Sequence, residues 1–295
     1  MTSTPPPGSH SIPPVPSSIT LPSGLRQSAV TTRLAVETTP YDDGGVPALL
    51  THPEDGWDAE GASPTPAPVC LWFHGRTVNK ELDAGRYLRW KRMGIAGCAI
   101  DLPGHGERSG DPAMQEPGST LLLAEQAARE IDLVLEDLAS ERFNGAFDLS
   151  RVAIGGMSAG GMVTLLRVCS LGLENRFKAV VLEATTGDFA SMHWPRVSAE
   201  RVEALSPVNH VADMPTVPML AVHSKVDEVV PFGPMAAFIE KVREEYARRG
   251  ADPELARMHA WDETGAPSEH MGFGRVTNET KNLENGCLGE WLGVP

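Results

Sequence analysis

The chain has 295 residues, of which 41% are hydrophobic, enough to bury the core of one large α/β domain. Its 39 acidic residues outnumber 25 lysines and arginines, and the formal net charge of −14 argues against a nucleic-acid partner, whose phosphates demand a basic surface. Cys70, Cys98, Cys169 and Cys287 stand far apart with no CxxC or CxxxxH spacing, so free thiols in a reducing cytoplasm are expected, with no metal and no disulfide framework.

Residues 1–24 are dominated by Pro, Ser and Thr, a composition that favours extended chain over a packed core. A flexible arm is expected there, ahead of a single domain over 25–295; a PxxP-type docking segment is the alternative. The arm lacks the basic start and apolar middle of a secretory signal, and no stretch approaches about 18 consecutive apolar residues, so a cytoplasmic protein without a membrane span is expected. Residues 28–51 alternate apolar and polar around Asp42-Asp43-Gly44-Gly45, which predicts two antiparallel strands joined by a turn. A loop over 53–66 leads to Ala67–Phe73, an uninterrupted apolar run that reads as a strand buried on both faces.

That strand ends in His74-Gly75-Arg76-Thr77, and a helix is predicted over 80–92. Residues 95–100 form another buried strand ending in Asp101-Leu102-Pro103-Gly104-His105-Gly106. Residues 119–140 place Ala124, Ala128, Ile131, Leu135 and Leu138 on one helical face. Further strands are predicted over 179–182, 217–223 and 255–261, and helices over 234–249 and Thr277–Leu292, although Gly286 and Gly289 weaken the helical signal in the second half of the last. Residues 185–215 lack periodicity and read as a short excursion above the sheet. Regular alternation of strand and helix means a mostly parallel sheet covered on both faces.

The chain is organised around Arg151 to Leu166, RVAIGGMSAGGMVTLL, in which a short apolar strand meets a glycine-rich turn and then helical spacing through Met162, Leu165 and Leu166. To hold Ser158 at the apex of so sharp a turn, strand and helix must approach closely, and Gly156 and Gly160 supply the room. The N–H of Ala159 would then point outward at a helix start, where the dipole favours an oxyanion. A lone GxSxG string also fits a phosphate-binding or merely tight turn.

In such sheets chemistry collects at the carboxyl ends of the strands. Beyond the strand ending at His223 lies Asp227, and beyond the strand ending at Trp261 lies His270, giving the order Ser, Asp, His. A serine hydroxyl is a poor nucleophile at neutral pH, so His270 would take its proton while Asp227 fixes the histidine tautomer and stabilises its cation. Asp188, Asp262, Glu263 and Glu269 are alternative acids. His105 and His223 are read as structural, His193 as solvated or touching substrate, and Trp72, Trp90 and Trp261 as core. A second oxyanion donor is expected from the backbone N–H of Arg76, and the Arg76 guanidinium either faces solvent or reaches an acidic group on the substrate. Met157 of the elbow and Phe189, Met192, His193 and Trp194 of the excursion are candidate pocket residues.

The motifs HGR at 74–76, DLPGHGER at 101–108, GMSAG at 156–160, HSKVDEVVP at 223–231 and EHMGF at 269–273 together resemble the α/β-hydrolase superfamily, within it the dienelactone-hydrolase and prolyl-oligopeptidase-like esterases, over roughly residues 28–292. The resemblance implies an eight-stranded sheet with a small cap or none, and ester hydrolysis through an acyl-serine intermediate without metal or organic cofactor. It implies Ser158 as nucleophile, Asp227 as acid, His270 as base, and the N–H groups of Arg76 and Ala159 as oxyanion donors. Dienelactone hydrolase itself uses cysteine, which separates this chain from that substrate, and the arm before Ser28 is too short for a propeller, which disfavours peptides. The expectation is a serine carboxylesterase for small to medium acyl esters. Thioester hydrolysis or acyl transfer with the same triad is one alternative, and a non-catalytic binding module on a hydrolase scaffold is another.

Overall fold

The computed structural model describes residues 20–40, 44–59, 61 and 64–295. Most of the expected N-terminal arm, and Asp42 and Asp43 of the expected turn, lie outside the described residues. Eight strands form one sheet: β1 (Ala29–Leu34), β2 (Val46–Thr51), β3 (Ala67–Phe73), β4 (Ala96–Ile100), β5 (Phe147–Met157), β6 (Phe177–Glu183), β7 (Met219–Ser224) and β8 (Ala256–Trp261). Their order across the sheet is β1-β2-β4-β3-β5-β6-β7-β8. β2 runs antiparallel to both β1 and β4, and the pairs from β4 through β8 are parallel.

The central strands carry a core on each face because successive side chains point to opposite sides. On one face Leu71, Phe73, Ile154 and Leu182 meet the helices Thr120–Leu138, Ala159–Leu165 and Phe232–Arg248. On the other, Cys70, Trp72, Ala153 and Val181 meet Tyr87 and Trp90 of the helix Ala84–Arg92 and Leu288 and Leu292 of the helix Thr277–Leu292. Burying each of these large apolar side chains stabilises the fold by about 1.5–3 kcal/mol.

Three local readings change. The helix expected from residue 80 begins at Ala84, because Lys80 is drawn out of it: its N–H and Nζ both donate to the Asp101 carboxylate, at 2.9 and 2.8 Å. The excursion over 185–215 contains a helix, Ala199–Leu205, whose Ser198 hydroxyl accepts the Arg201 N–H. Its Val202 and Leu205 join the core, and Arg201 donates to Glu125 of the helix Thr120–Leu138, so the segment lies against the helical layer. Trp261 is only half-buried, being on the edge strand β8, where it stacks edge-on against Phe273. Among the described residues no helix is long and apolar enough to cross a membrane.

Candidate active site

β5 ends at Met157 and the helix Ala159–Leu165 begins two residues later, leaving Ser158 as the whole turn. Its φ of 53° and ψ of −115° are strained for a residue with a side chain, a conformation that costs about 1–3 kcal/mol and must be held by its surroundings. The holding contacts are the Ser158 N–H donating to Glu183 O at 2.8 Å and Thr185 Oγ1 donating to Ser158 O at 2.8 Å. The turn closes only because a Cβ is missing twice. One placed on Gly160 would lie 2.0 Å from Phe73 O, and one on Gly156 would lie 2.4 Å from Gly160 O.

The loops after β7 and β8 bring two more side chains to Ser158. His270 Nε2 lies 2.9 Å from Ser158 Oγ, and His270 Nδ1 lies 2.8 Å from Asp227 Oδ2. The other carboxylate oxygen, Asp227 Oδ1, accepts the N–H groups of Val229 and Val230, both at 2.8 Å, which fixes the rotamer. A carboxylate facing Nδ1 places the imidazole proton there and leaves Nε2 free to accept from the serine hydroxyl.

The histidine loop is itself tied down, by a residue that sequence reading weighed only as an alternative acid. The Glu269 carboxylate accepts from Ser224 Oγ at the end of β7, from the N–H and hydroxyl of Thr264 and from Gly265 N–H, at 2.6 to 2.9 Å. Burial pushes the Glu269 pKa up, but these donors outweigh it and hold the carboxyl down at about 2. Ser268 O accepts the Glu228 N–H, joining the histidine loop to the loop of Asp227. Asp188 turns to Ala190 N, Asp262 to Lys225 and Glu263 to Arg275, so none of these three faces His270. Thr185 had no signal in the sequence beyond its position after a strand end, and Glu269 stood out only for its place beside His270.

On the opposite side of Ser158 lies the loop after β3. A Cβ on Gly75 would be 3.7 Å from Ser158 Cβ, so the next residue, Arg76, is carried close to the serine. His74 clamps the loop: its Nδ1 bonds Gly75 O at 2.6 Å and its Nε2 accepts the Leu102 N–H at 3.1 Å. Ala159 opens its helix, where the first N–H groups have no intrahelical acceptor. His105 bonds Pro103 O, and burial pushes its pKa down to about 4, keeping it neutral. His223 is buried beside the triad, 3.9 Å from Asp227 Oδ2, with burial lowering its pKa.

The excursion supplies fewer pocket residues than expected. Phe189 is fully buried and Trp194 nearly so; their rings pack edge-on in the core and Trp194 Nε1 donates to Phe189 O, because the segment folds its apolar side chains inward. Met192 is half-buried, His193 is exposed, and Met157 is half-buried beside Ser158.

A serine poised at the end of a central parallel strand, with its partners on the loops of the strands that follow, is the arrangement of the α/β-hydrolase superfamily, and the chain is a serine hydrolase of that fold. Residues 90–260, more than half of the sequence, match the prolyl oligopeptidase family, and the chain belongs to it. Among solved structures, a Thermus thermophilus protein is 24% identical with a TM-score of 0.63, over 90% of this chain and 98% of that one. The Thermogutta terrifontis esterase 2, solved phosphoramylated by tabun, is 17% identical with a TM-score of 0.63, over 89% and 94% of the two chains. The Pyrococcus horikoshii acylaminoacyl peptidase is 18% identical with a TM-score of 0.65, over 90% of this chain but 41% of that one. At such identities the likeness is one of fold. No curated protein matches the sequence.

Proposed function

We propose that the protein is a serine carboxylesterase acting on small to medium acyl esters, with Ser158 as nucleophile, His270 as general base and acid, and Asp227 as the group that orients and stabilises the imidazolium. The observation that carries this reading is the unbroken relay from Ser158 Oγ through His270 to Asp227, at 2.9 and 2.8 Å. As Oγ attacks the ester carbonyl, His270 Nε2 takes its proton. The carbonyl oxygen becomes an oxyanion between the N–H groups of Arg76 and Ala159, which stabilise charge that exists only in the transition state and intermediate. Collapse expels the alcohol, protonated by His270, and leaves an acyl-serine. Water then attacks with His270 again as base, releasing the acid and restoring Ser158. Four buried free cysteines support a reducing, cytoplasmic setting.

Hydrolysis of short p-nitrophenyl esters tests the reading. Ser158→Ala is expected to lower turnover by a factor on the order of 10⁶, with loss of fluorophosphonate labelling. Equal rates for the two proteins would overturn it.

A further inference from the structure

Nearby cations are matched by acids. Lys80 pairs with Asp101 and Glu107, and Arg196 with Glu116. Arg76 is the exception. Among the described residues no carboxylate reaches it; Nη2 donates to the neutral Gln115 carbonyl, and Nε is buried without an acceptor. Burial lowers the pKa of this guanidinium, whereas carboxylate partners raise those of Arg257 and Arg275. In a chain with 39 acids against 25 bases, a half-buried arginine one residue on from Gly75 has no carboxylate partner among the described residues.

Its place gives that charge a use. Arg76 directly follows Gly75, which packs against Ser158, and its side chain runs toward Gln115 in the loop after β4. The loop that carries this guanidinium is the one packed against Ser158, on the flank of any substrate the serine holds. We propose that Arg76 is a specificity-determining residue that binds a carboxylate on the substrate, so that the preferred substrates are anionic half-esters with a carboxylate a few bonds from the scissile carbonyl. The guanidinium fork matches a carboxylate bidentately, and partial desolvation strengthens the pairing.

The inference rests on the esterase reading, and the experiment separates the two. The kcat/KM for mono-p-nitrophenyl glutarate is compared with that for p-nitrophenyl 5-methylhexanoate, its neutral counterpart of the same shape, in wild type, Arg76→Gln and Arg76→Lys. Wild type is expected to favour the half-ester, Arg76→Gln to lower the ratio of the two by about 10- to 100-fold, and Arg76→Lys to restore part of it. A wild-type preference for the neutral ester, or the same ratio in wild type and Arg76→Gln, would overturn the proposal. If neither ester is cleaved and Ser158 resists fluorophosphonate, the esterase reading fails. Calorimetric binding of monomethyl glutarate then decides for Arg76 alone: binding lost in Arg76→Gln supports the anion site, and equal or absent binding overturns it.

Discussion

At the scale of single residues, the site depends as much on what holds His270 as on His270 itself. Two consecutive left-handed residues, Ser268 and Glu269, precede it, with φ of 50° and 51°, and such backbone persists only when surrounding contacts over-determine it. The Glu269 carboxylate provides those contacts. Replacing it in Glu269→Gln sets an amide against N–H donors that need an acceptor, and the loop is expected to loosen. Because catalysis falls steeply with small displacements of a reacting group, kcat should drop by about 10²-fold with little change in KM, read from steady-state kinetics. The sign with pH follows from the depressed pKa: the support is complete above the ordinary value of 4.5 and is lost only as pH falls toward about 2.

At the scale of elements, the elbow and the last helix use glycine for opposite reasons. Gly160 lets the helix Ala159–Leu165 touch the backbone of β3, so Gly160→Ala forces Cβ into Phe73 O, which a backbone atom cannot evade. A loss of about 3 kcal/mol, the upper end for overpacking, is expected, measured as a lowered Tm or loss of soluble protein. Gly286 is exposed in the helix Thr277–Leu292 and nothing lies within 4 Å of an added Cβ. There Gly286→Ala is expected to stabilise by about 0.5–1 kcal/mol, since it restricts the unfolded chain and improves helix propensity. The same denaturation experiment on both variants distinguishes a glycine that is needed from one that is tolerated.

At the scale of the whole molecule, a buried ion cluster ties two helices to the sheet behind the elbow. Arg86, lying 3.6 Å over the Trp72 ring, binds Asp83, Glu183 and Glu284, while Lys281 binds Asp83 and Glu183. Three acids thus share two bases. Burial first, and then the charge of Glu183, push Glu284 up to about 8 despite Arg86, whereas Arg86 and Lys281 outweigh the burial of Glu183 and keep it low. A carboxyl whose folded pKa is raised above 4.5 gives stability that is complete below that value and lost as pH rises through about 8. Tm should therefore fall between about pH 4.5 and pH 8 in wild type, level off above that, and stay flatter in Glu284→Gln, as followed by circular dichroism.

Much of this architecture is legible in the chain because its signals are local. The apolar run of β3, the period of the helix Thr120–Leu138 and the glycines flanking Ser158 each act within a few residues of themselves. The seven-residue helix Ala199–Leu205 is too short to show a period, and the helix before β4 starts late because Lys80 answers to Asp101, 21 positions away. The sequence by itself determined which residue types stand after which strand ends. Only the tertiary structure decided that Asp227 rather than Asp188 or Asp262 faces His270, that Phe189 turns into the core, and that no acid among the described residues pairs with Arg76. Each of these is a distance between side chains far apart in the chain, set by how strands cross over and loops pack, and no local pattern encodes it.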